Sequence, residues 1–307
     1  PRLKGWQCYG VRSNVPGIFR SCQQLYEITF GVSSKDPSPK QSGRMRAAPE
    51  AGCTRQEKRE ERRFMEPIVE VKNLCVNYTR REKESFAAVD QVSFCLYPGE
   101  VLGIVGESGC GKSTVARALT RLIPAAQGGI FLDGRDITHV RGRKLKDVYK
   151  KMQMVFQFPA QSFDPGKTLG DSIAEPLKNM GAGQIGNLQF QVRQLLLLCG
   201  LTEDFAERYP HEVSGGQCQR AAIARALAPG PQILICDEAT SALDVTIQRQ
   251  IMGLLQSLKE TQGLSLIFIC HNLALVQEFC DRVLVMHQGK IIEEGTPDQV
   301  IFSPKTD

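Results

Sequence analysis

The sequence predicts an α/β protein whose buried parallel-type strands are interrupted by a helical insert. Three observations carry this. Short apolar runs recur at Val101–Val105, Gln232–Cys236 and Leu264–Cys270, as strands buried on both faces require. The first run leads directly into Gly106-Glu107-Ser108-Gly109-Cys110-Gly111-Lys112-Ser113, a glycine-rich loop followed by helical spacing from Thr114 to Leu122. Between the first run and the later ones, residues 165–230 read as mostly helical, so strands give way to helices and then return.

Composition sets the bounds. A chain of 307 residues with 42% hydrophobic and 23% charged residues is long enough for one large domain or two smaller ones with a good core. The formal charge of +5 is unevenly spread: residues 1–64 carry +7 and the remainder −2. The body therefore shows no basic field for nucleic acid, and no nucleic-acid partner is expected. The eleven cysteines are scattered without a C-x-x-C pair, which points to reduced thiols of a cytosolic protein. No apolar run approaches the roughly 18–20 residues that cross a bilayer, and the N-terminus lacks the apolar core of a signal peptide.

Taken in order, residues 1–64 are rich in Arg, Ser, Pro and Gly and end in the charged run Arg55–Arg63. They are expected to be a disordered basic tail, a lipid- or nucleic-acid-binding arm, or upstream sequence preceding a domain that begins at Met65. Ile68–Val71 and Gln91–Leu96 read as strands, and Pro98-Gly99-Glu100 as a turn into the loop strand. Residues 128–134 read as a short strand between turns, Arg143–Lys151 as a charged helix and Met152–Phe156 as a strand. Within the helical insert, Leu188, Val192, Leu195 and Cys199 share one face. Arg220–Ala228 reads as a helix ended by Pro229-Gly230-Pro231, and Arg282–Met286 as the last strand.

The loop carries the first chemistry. Its glycines let backbone N–H groups turn inward around phosphate oxygens, and the helix N-terminus adds partial positive charge. Lys112 can then reach β- and γ-phosphates, and Ser113 can offer its hydroxyl to Mg²⁺. The apolar run Ile233–Cys236 ends in Asp237-Glu238, placing two carboxylates where open α/β sheets bind ligand. Asp237 suits Mg²⁺, a cation of hard oxygen ligands, and Glu238 suits a general base acting on water. Val213-Ser214-Gly215-Gly216-Gln217, just ahead of a helix, offers a second anion site.

The phosphate loop, Gln157, Val213–Gln217, Ile233–Glu238, Ser241-Ala242-Leu243-Asp244 and His271 occur in an order that resembles ATP-binding-cassette (ABC) ATPase domains over about residues 66–307. Val213 stands where that family usually has Leu. The resemblance implies a P-loop NTPase core with an inserted helical subdomain at about 165–230 and a small antiparallel β subdomain. It also implies that two cassettes pair head to tail around ATP. The loop Gly106–Ser113 with Thr114 would bind one ATP, while Ser214, Gly215, Gly216 and Gln217 would reach the ATP of the partner. Asp244 would lie at the seam. Gln157 would contact Mg²⁺ and the attacking water, His271 would sit beside the γ-phosphate, and Tyr78 would stack on adenine. A core or surface tyrosine is the alternative for Tyr78.

Lys151–Gln157, Ser162-Phe163-Asp164-Pro165 and Cys236–Ile247 are similar to the oligopeptide, dipeptide and nickel importer branch. Phe158-Pro159 departs from the Asp-Pro usual there after the glutamine, and the cysteine-bearing C-terminal extension frequent in that branch is expected to be either absent or cut off, the sequence ending at Asp307. The resemblance implies an ATPase subunit at the cytoplasmic face of a membrane, paired with a second cassette and with permease subunits, and coupled indirectly to a solute-binding protein. Phe158 and Phe163 would form a notch for a permease helix, or else pack in the core. The alternative function is an ATPase subunit of a soluble complex such as a carbon–phosphorus lyase system.

Overall fold

The computed structural model describes residues 65–79, 85–180, 185–240 and 243–305. The expectations for residues 1–64, and for Ser241 and Ala242, lie outside the described residues. One sheet is antiparallel: β1 (Val69–Thr79), β2 (Ser85–Leu96), β4 (Gln127–Leu132) and the short β5 (Arg135–Asp136) line up as β2-β1-β4-β5. A six-stranded sheet contains β3 (Val101–Gly106), β6 (Met152–Val155), β7 (Ile233–Asp237), β8 (Ser265–Ile269), β9 (Arg282–His287) and β10 (Lys290–Gly295), ordered β10-β9-β3-β8-β7-β6. Only β10 runs antiparallel to its neighbour in that sheet.

The unbroken apolar runs have a simple cause. Alternate residues of each central strand enter different cores. Val101, Val105, Leu234, Cys236, Leu266 and Phe268 pack into one, whereas Leu102, Ile104, Ile233, Ile235, Ile267 and Ile269 pack into the other. Both faces are thus covered, and no polar position is needed along the strand. The second core is completed by the antiparallel sheet and by α1 (Lys112–Leu119). The first is completed largely by α4 (Leu169–Asn179), α5 (Ile185–Leu198) and α6 (Gly215–Leu227), which follow α2 (Arg143–Lys151) and the single turn α3 (Pro159–Ser162).

Several elements differ from the sequence reading. β1 and β2 extend well beyond Ile68–Val71 and Gln91–Leu96, because register shifts along their pairing break the alternation that marks a strand. α1 stops at Leu119, and Arg121 just beyond it adopts a left-handed backbone with φ 60°. Along α5 and the turn that follows it the buried stripe is Leu188, Val192, Leu196 and Cys199; Leu195 is only partly buried. The helix expected from Arg220 begins five residues earlier, so Gly215-Gly216-Gln217 form its first turn. α7 (Val245–Gln262), α8 (Leu273–Phe279), α9 (Pro297–Phe302) and strand β10 had no forecast.

Candidate functional site

β3 ends in the glycine-rich loop, and backbone geometry explains its glycines. Gly106, Gly109 and Gly111 have φ of 146°, 83° and 108°. A Cβ on Gly111 would lie 2.3 Å from the Ala88 carbonyl oxygen of β2, and one on Gly106 would lie 2.1 Å from that of Met286 in β9. Gly111 is also the N-cap of α1 and brings no side-chain acceptor, so no side chain caps the first helical turn. The Lys112 ammonium is buried inside the loop, where Nζ donates to the Gly106 oxygen at 2.8 Å and the Glu107 oxygen at 2.6 Å. Cys110 is buried beneath it, while Glu107, Ser108 and Gly109 form an exposed rim. Thr114 follows in the first turn of α1. The result is a cradle of inward-turned backbone and one ammonium, suited to an oligophosphate.

The carboxylates stand at the adjoining edge of the sheet. Ser113 Oγ donates to Asp237 Oδ1 at 2.8 Å. Asp237 is 3% exposed, and burial raises its carboxyl pKa above the usual value against the opposing pull of the Ser113 hydrogen bond, Arg117 and Lys112. A hydroxyl and a buried carboxylate held together present hard oxygen donors of the kind Mg²⁺ takes. Glu238 sits in a left-handed backbone, φ 47°, and its N–H bonds the Ile269 oxygen at 3.1 Å. Its side chain accepts from Gln157 Nε2 at 2.6 Å. Gln157 lies just past the end of β6, whose neighbour is β7, so sheet order brings together residues 81 positions apart. His271 follows β8 at the same edge and is exposed.

Tyr78 faces Phe86 across the β1–β2 pair, with ring centroids 6.0 Å apart and planes tilted by 32°. Phe86 is 44% exposed, and Ala88, two residues further along β2, is the residue pressed against Gly111. An aromatic surface therefore lies near the phosphate loop, with Phe86 a component that sequence reading missed. The β9–β10 hairpin was missed too. Its turn, Gln288-Gly289, has φ of 46° and 82°, as a two-residue type I′ hairpin demands. Gly289 donates its N–H to the Cys110 oxygen at 3.0 Å and accepts from the Asp90 N–H at 2.8 Å, tying the loop to the antiparallel sheet. A glycine between two short strand patterns was the available signal.

Ser214, Gly215, Gly216 and Gln217 form a second group. Ser214 caps α6 by accepting from the Gln217 N–H at 3.3 Å, while Gln217 Oε1 accepts from the Ser214 N–H at 2.9 Å. This reciprocal capping box fixes an exposed helix start. A Cβ on Gly216 would lie 2.6 Å from Ile247 Cγ2, so α6 starts in close contact with α7. Asp244 is exposed and caps that second helix, accepting from the Ile247 N–H at 3.0 Å. Neighbouring helix starts thus present Ser214 and Asp244 together, on elements other than those that carry Lys112 and Glu238.

The segment after Gln157 divides the two phenylalanines that sequence reading grouped. Phe158 is 50% exposed. Phe163 is buried under the Arg225 guanidinium, 4.3 Å from its ring centroid, so of the two alternatives it is core. A cleft of about 860 Å³ opens beside this segment, lined among others by Tyr149, Phe156, Asp164, Glu175, Met180 and Arg225.

The chain resembles known proteins over most of its length. The family model described as ABC transporter matches residues 89–241. The chain is 44% identical over 246 residues to the oligopeptide transport ATP-binding protein OppF of Salmonella typhimurium, covering 77% of this chain and 74% of the relative. It is 46% identical over 252 residues to OppF of Haemophilus influenzae, covering 78% and 75%. The glutathione import ATP-binding protein GsiA of Pectobacterium atrosepticum is 44% identical over 246 residues, 78% of this chain but 40% of that protein. Among solved structures, the dimeric post-hydrolysis state of the ATP-binding cassette MJ0796 bound to ADP and Pi superposes with a TM-score of 0.69. It shares 31% identity and covers 75% of this chain and 98% of that one.

Proposed function

The chain belongs to the ABC transporter family, and from that premise we propose that it energises a peptide importer from the cytoplasmic face of a membrane. It is an ATPase. Of the solutes left open by the sequence, oligopeptide is the one carried in the relatives' names. No helix among the described residues is long and apolar enough to cross a membrane. In this reading the chain is held at the membrane through permease subunits. Residues 65–307 serve as the cassette, with the helices of about 165–230 as its helical subdomain.

The observation that carries the reading is the paired arrangement at the end of β7: Ser113 on Asp237, and Gln157 on Glu238. In the proposed mechanism the Gly106–Thr114 backbone and Lys112 hold the β- and γ-phosphates. Ser113, Asp237 and Gln157 would hold Mg²⁺, which would supply charge neutralisation at the phosphate oxygens. Gln157 and Glu238 position the attacking water, and Glu238 takes its proton. His271 stands beside the γ-phosphate, and Tyr78 stacks on adenine. Ser214 and Gly216 of one cassette close on the phosphates of the other, with Gly215 and Gln217 shaping that helix start and Asp244 at the seam. Two ATP molecules close the pair and hydrolysis reopens it, and this motion reaches the permease through the segment that follows Gln157.

Reconstitution tests the reading. With its permease subunits and partner cassette in proteoliposomes, the chain should hydrolyse ATP faster when peptide-loaded binding protein is added. Phe158→Ala should blunt that rise and spare ATP binding. Recovery of the native protein only in a soluble complex without permease subunits would overturn the importer reading and leave the ATPase standing.

A further inference from the structure

The β9–β10 hairpin supports the phosphate loop at both of its ends. At the loop's start, Gly106 pairs with Met286 in the β3–β9 register. At its end, the Cys110 carbonyl oxygen accepts from the Gly289 N–H at 3.0 Å. The turn is itself held in place. The Gly289 oxygen accepts from the Asp90 N–H at 2.8 Å, and the Lys290 ammonium lies 3.3 Å from the Asp90 carboxylate. Glycine suits position 289, where φ is 82° and a Cβ would lie 3.1 Å from the Ala88 carbonyl oxygen.

That single bond has a consequence inside the loop. A peptide unit is planar, and the described residues contain no cis bond, so the Cys110 C=O and the Gly111 N–H point in opposite directions from their shared plane. The Gly289 N–H draws the oxygen toward the hairpin, outside the loop. The Gly111 N–H is thereby turned the other way, to the side where Lys112 Nζ is held by the Gly106 and Glu107 oxygens. Glycine at 111, with φ of 108°, tolerates either orientation of the peptide before it, so local sterics do not choose between them. The hydrogen bond does. A backbone N–H aimed at a phosphate oxygen makes a charge-assisted bond, roughly twice as strong as a neutral one.

We propose that Gly289 is a positioning residue for ATP binding and hydrolysis: by holding the Cys110 oxygen, its N–H aims the Gly111 N–H at the β-phosphate. The proposal deepens the reading of Gly106–Thr114 as the phosphate site and rests on it. It assigns Gly289 no contact with nucleotide.

The test removes that one donor. Gly289→glycolic acid replaces the N–H by an ester oxygen and leaves the φ of 82° unstrained. Ligating a synthetic 280–307 segment at Cys280 builds it into the full chain. Calorimetry should show Mg-ADP binding about tenfold weaker than in wild type, the scale of one hydrogen bond to a charged group. In protein labelled at glycine, the Gly111 amide proton should move strongly downfield when Mg-ADP saturates the wild type, and that shift should collapse in the ester. A Gly289 that serves the hairpin alone would lower the melting temperature and leave the affinity and the Gly111 shift as in wild type, and that result overturns the proposal. If the ester does not fold, the wild-type spectrum decides, and a Gly111 amide proton that stays in place on saturation overturns the proposal equally. A wild-type chain that binds no Mg-ADP would overturn the phosphate-site reading itself, a distinguishable failure.

Discussion

Replacing Glu238 by Gln isolates the proton-accepting step. The substitution keeps side-chain length and shape, and the new amide oxygen can still accept from Gln157 Nε2, the bond now 2.6 Å long. The backbone is unaffected in kind, since the left-handed φ of 47° and the N–H bond to Ile269 are main-chain features. Asp237, Ser113 and Lys112 keep their partners, so nucleotide and Mg²⁺ binding should persist. Only the capacity to take a proton is removed. General-base loss costs about 10²–10⁴ in rate, or about 3–5 kcal/mol at the transition state. A merely structural Glu238 would change turnover by about tenfold or less, the scale of a modest hydrogen bond. Phosphate release at saturating Mg-ATP, with calorimetric binding in parallel, separates the two. Turnover within tenfold of wild type, or a parallel loss of ATP affinity, would refute the assignment.

Asp237→Asn should stabilise the nucleotide-free protein at neutral pH while abolishing its response to Mg-ATP. The folded carboxyl titrates above its usual 3.8, chiefly through burial, so ionisation costs the folded state stability as pH rises through the folded pKa. Asn keeps an acceptor for Ser113 without the charge, and each kcal/mol recovered should raise the melting temperature by about 2–4 °C. The gain should vanish below the ordinary carboxylate range. Thermal unfolding across pH, with and without Mg-ATP, checks both halves, and a variant that melts lower at pH 7 contradicts the argument. Gly111→Ala and Gly134→Ala make a matched pair, with φ of 108° and 71°. Gly134 has nothing within 4 Å of a new Cβ and should lose only the left-handed backbone cost of about 1–2 kcal/mol. Gly111 adds the overlap with the Ala88 carbonyl and should lose clearly more, along with ATP affinity; equal melting shifts would show that the loop is not pressed against β2.

Much of this was legible because the chemistry is local in the chain. The phosphate loop is eight consecutive residues between a strand and a helix, and Asp237-Glu238 close a strand of unbroken apolar character. Buried strands and loop glycines are dictated by neighbours in sequence, so spacing alone exposes them. Where alternation fails, reading fails. β1 and β2 were cut short by their register shifts, and β10, with three charges among six residues, gave little apolar signal. The capped starts of α6 and α7 were readable as residues but not as neighbours.

By itself, then, the sequence determined the fold class, the phosphate loop, the acidic strand end and the Ser-Gly-Gly helix start at Ser214, while Gln157, Asp244 and His271 became candidates through the family resemblance. Only the tertiary structure decided how they meet. The order of β6 beside β7 sets Gln157 on Glu238, and α1 beside β7 sets Ser113 on Asp237. Packing on Arg225 took Phe163 out of the surface that Phe158 keeps, and the Gly289 turn came to hold the phosphate loop. The physical reason is range. Propensity and periodicity act over a few residues, whereas these contacts join positions 62 to 179 apart, fixed by which strands pair and which faces are covered.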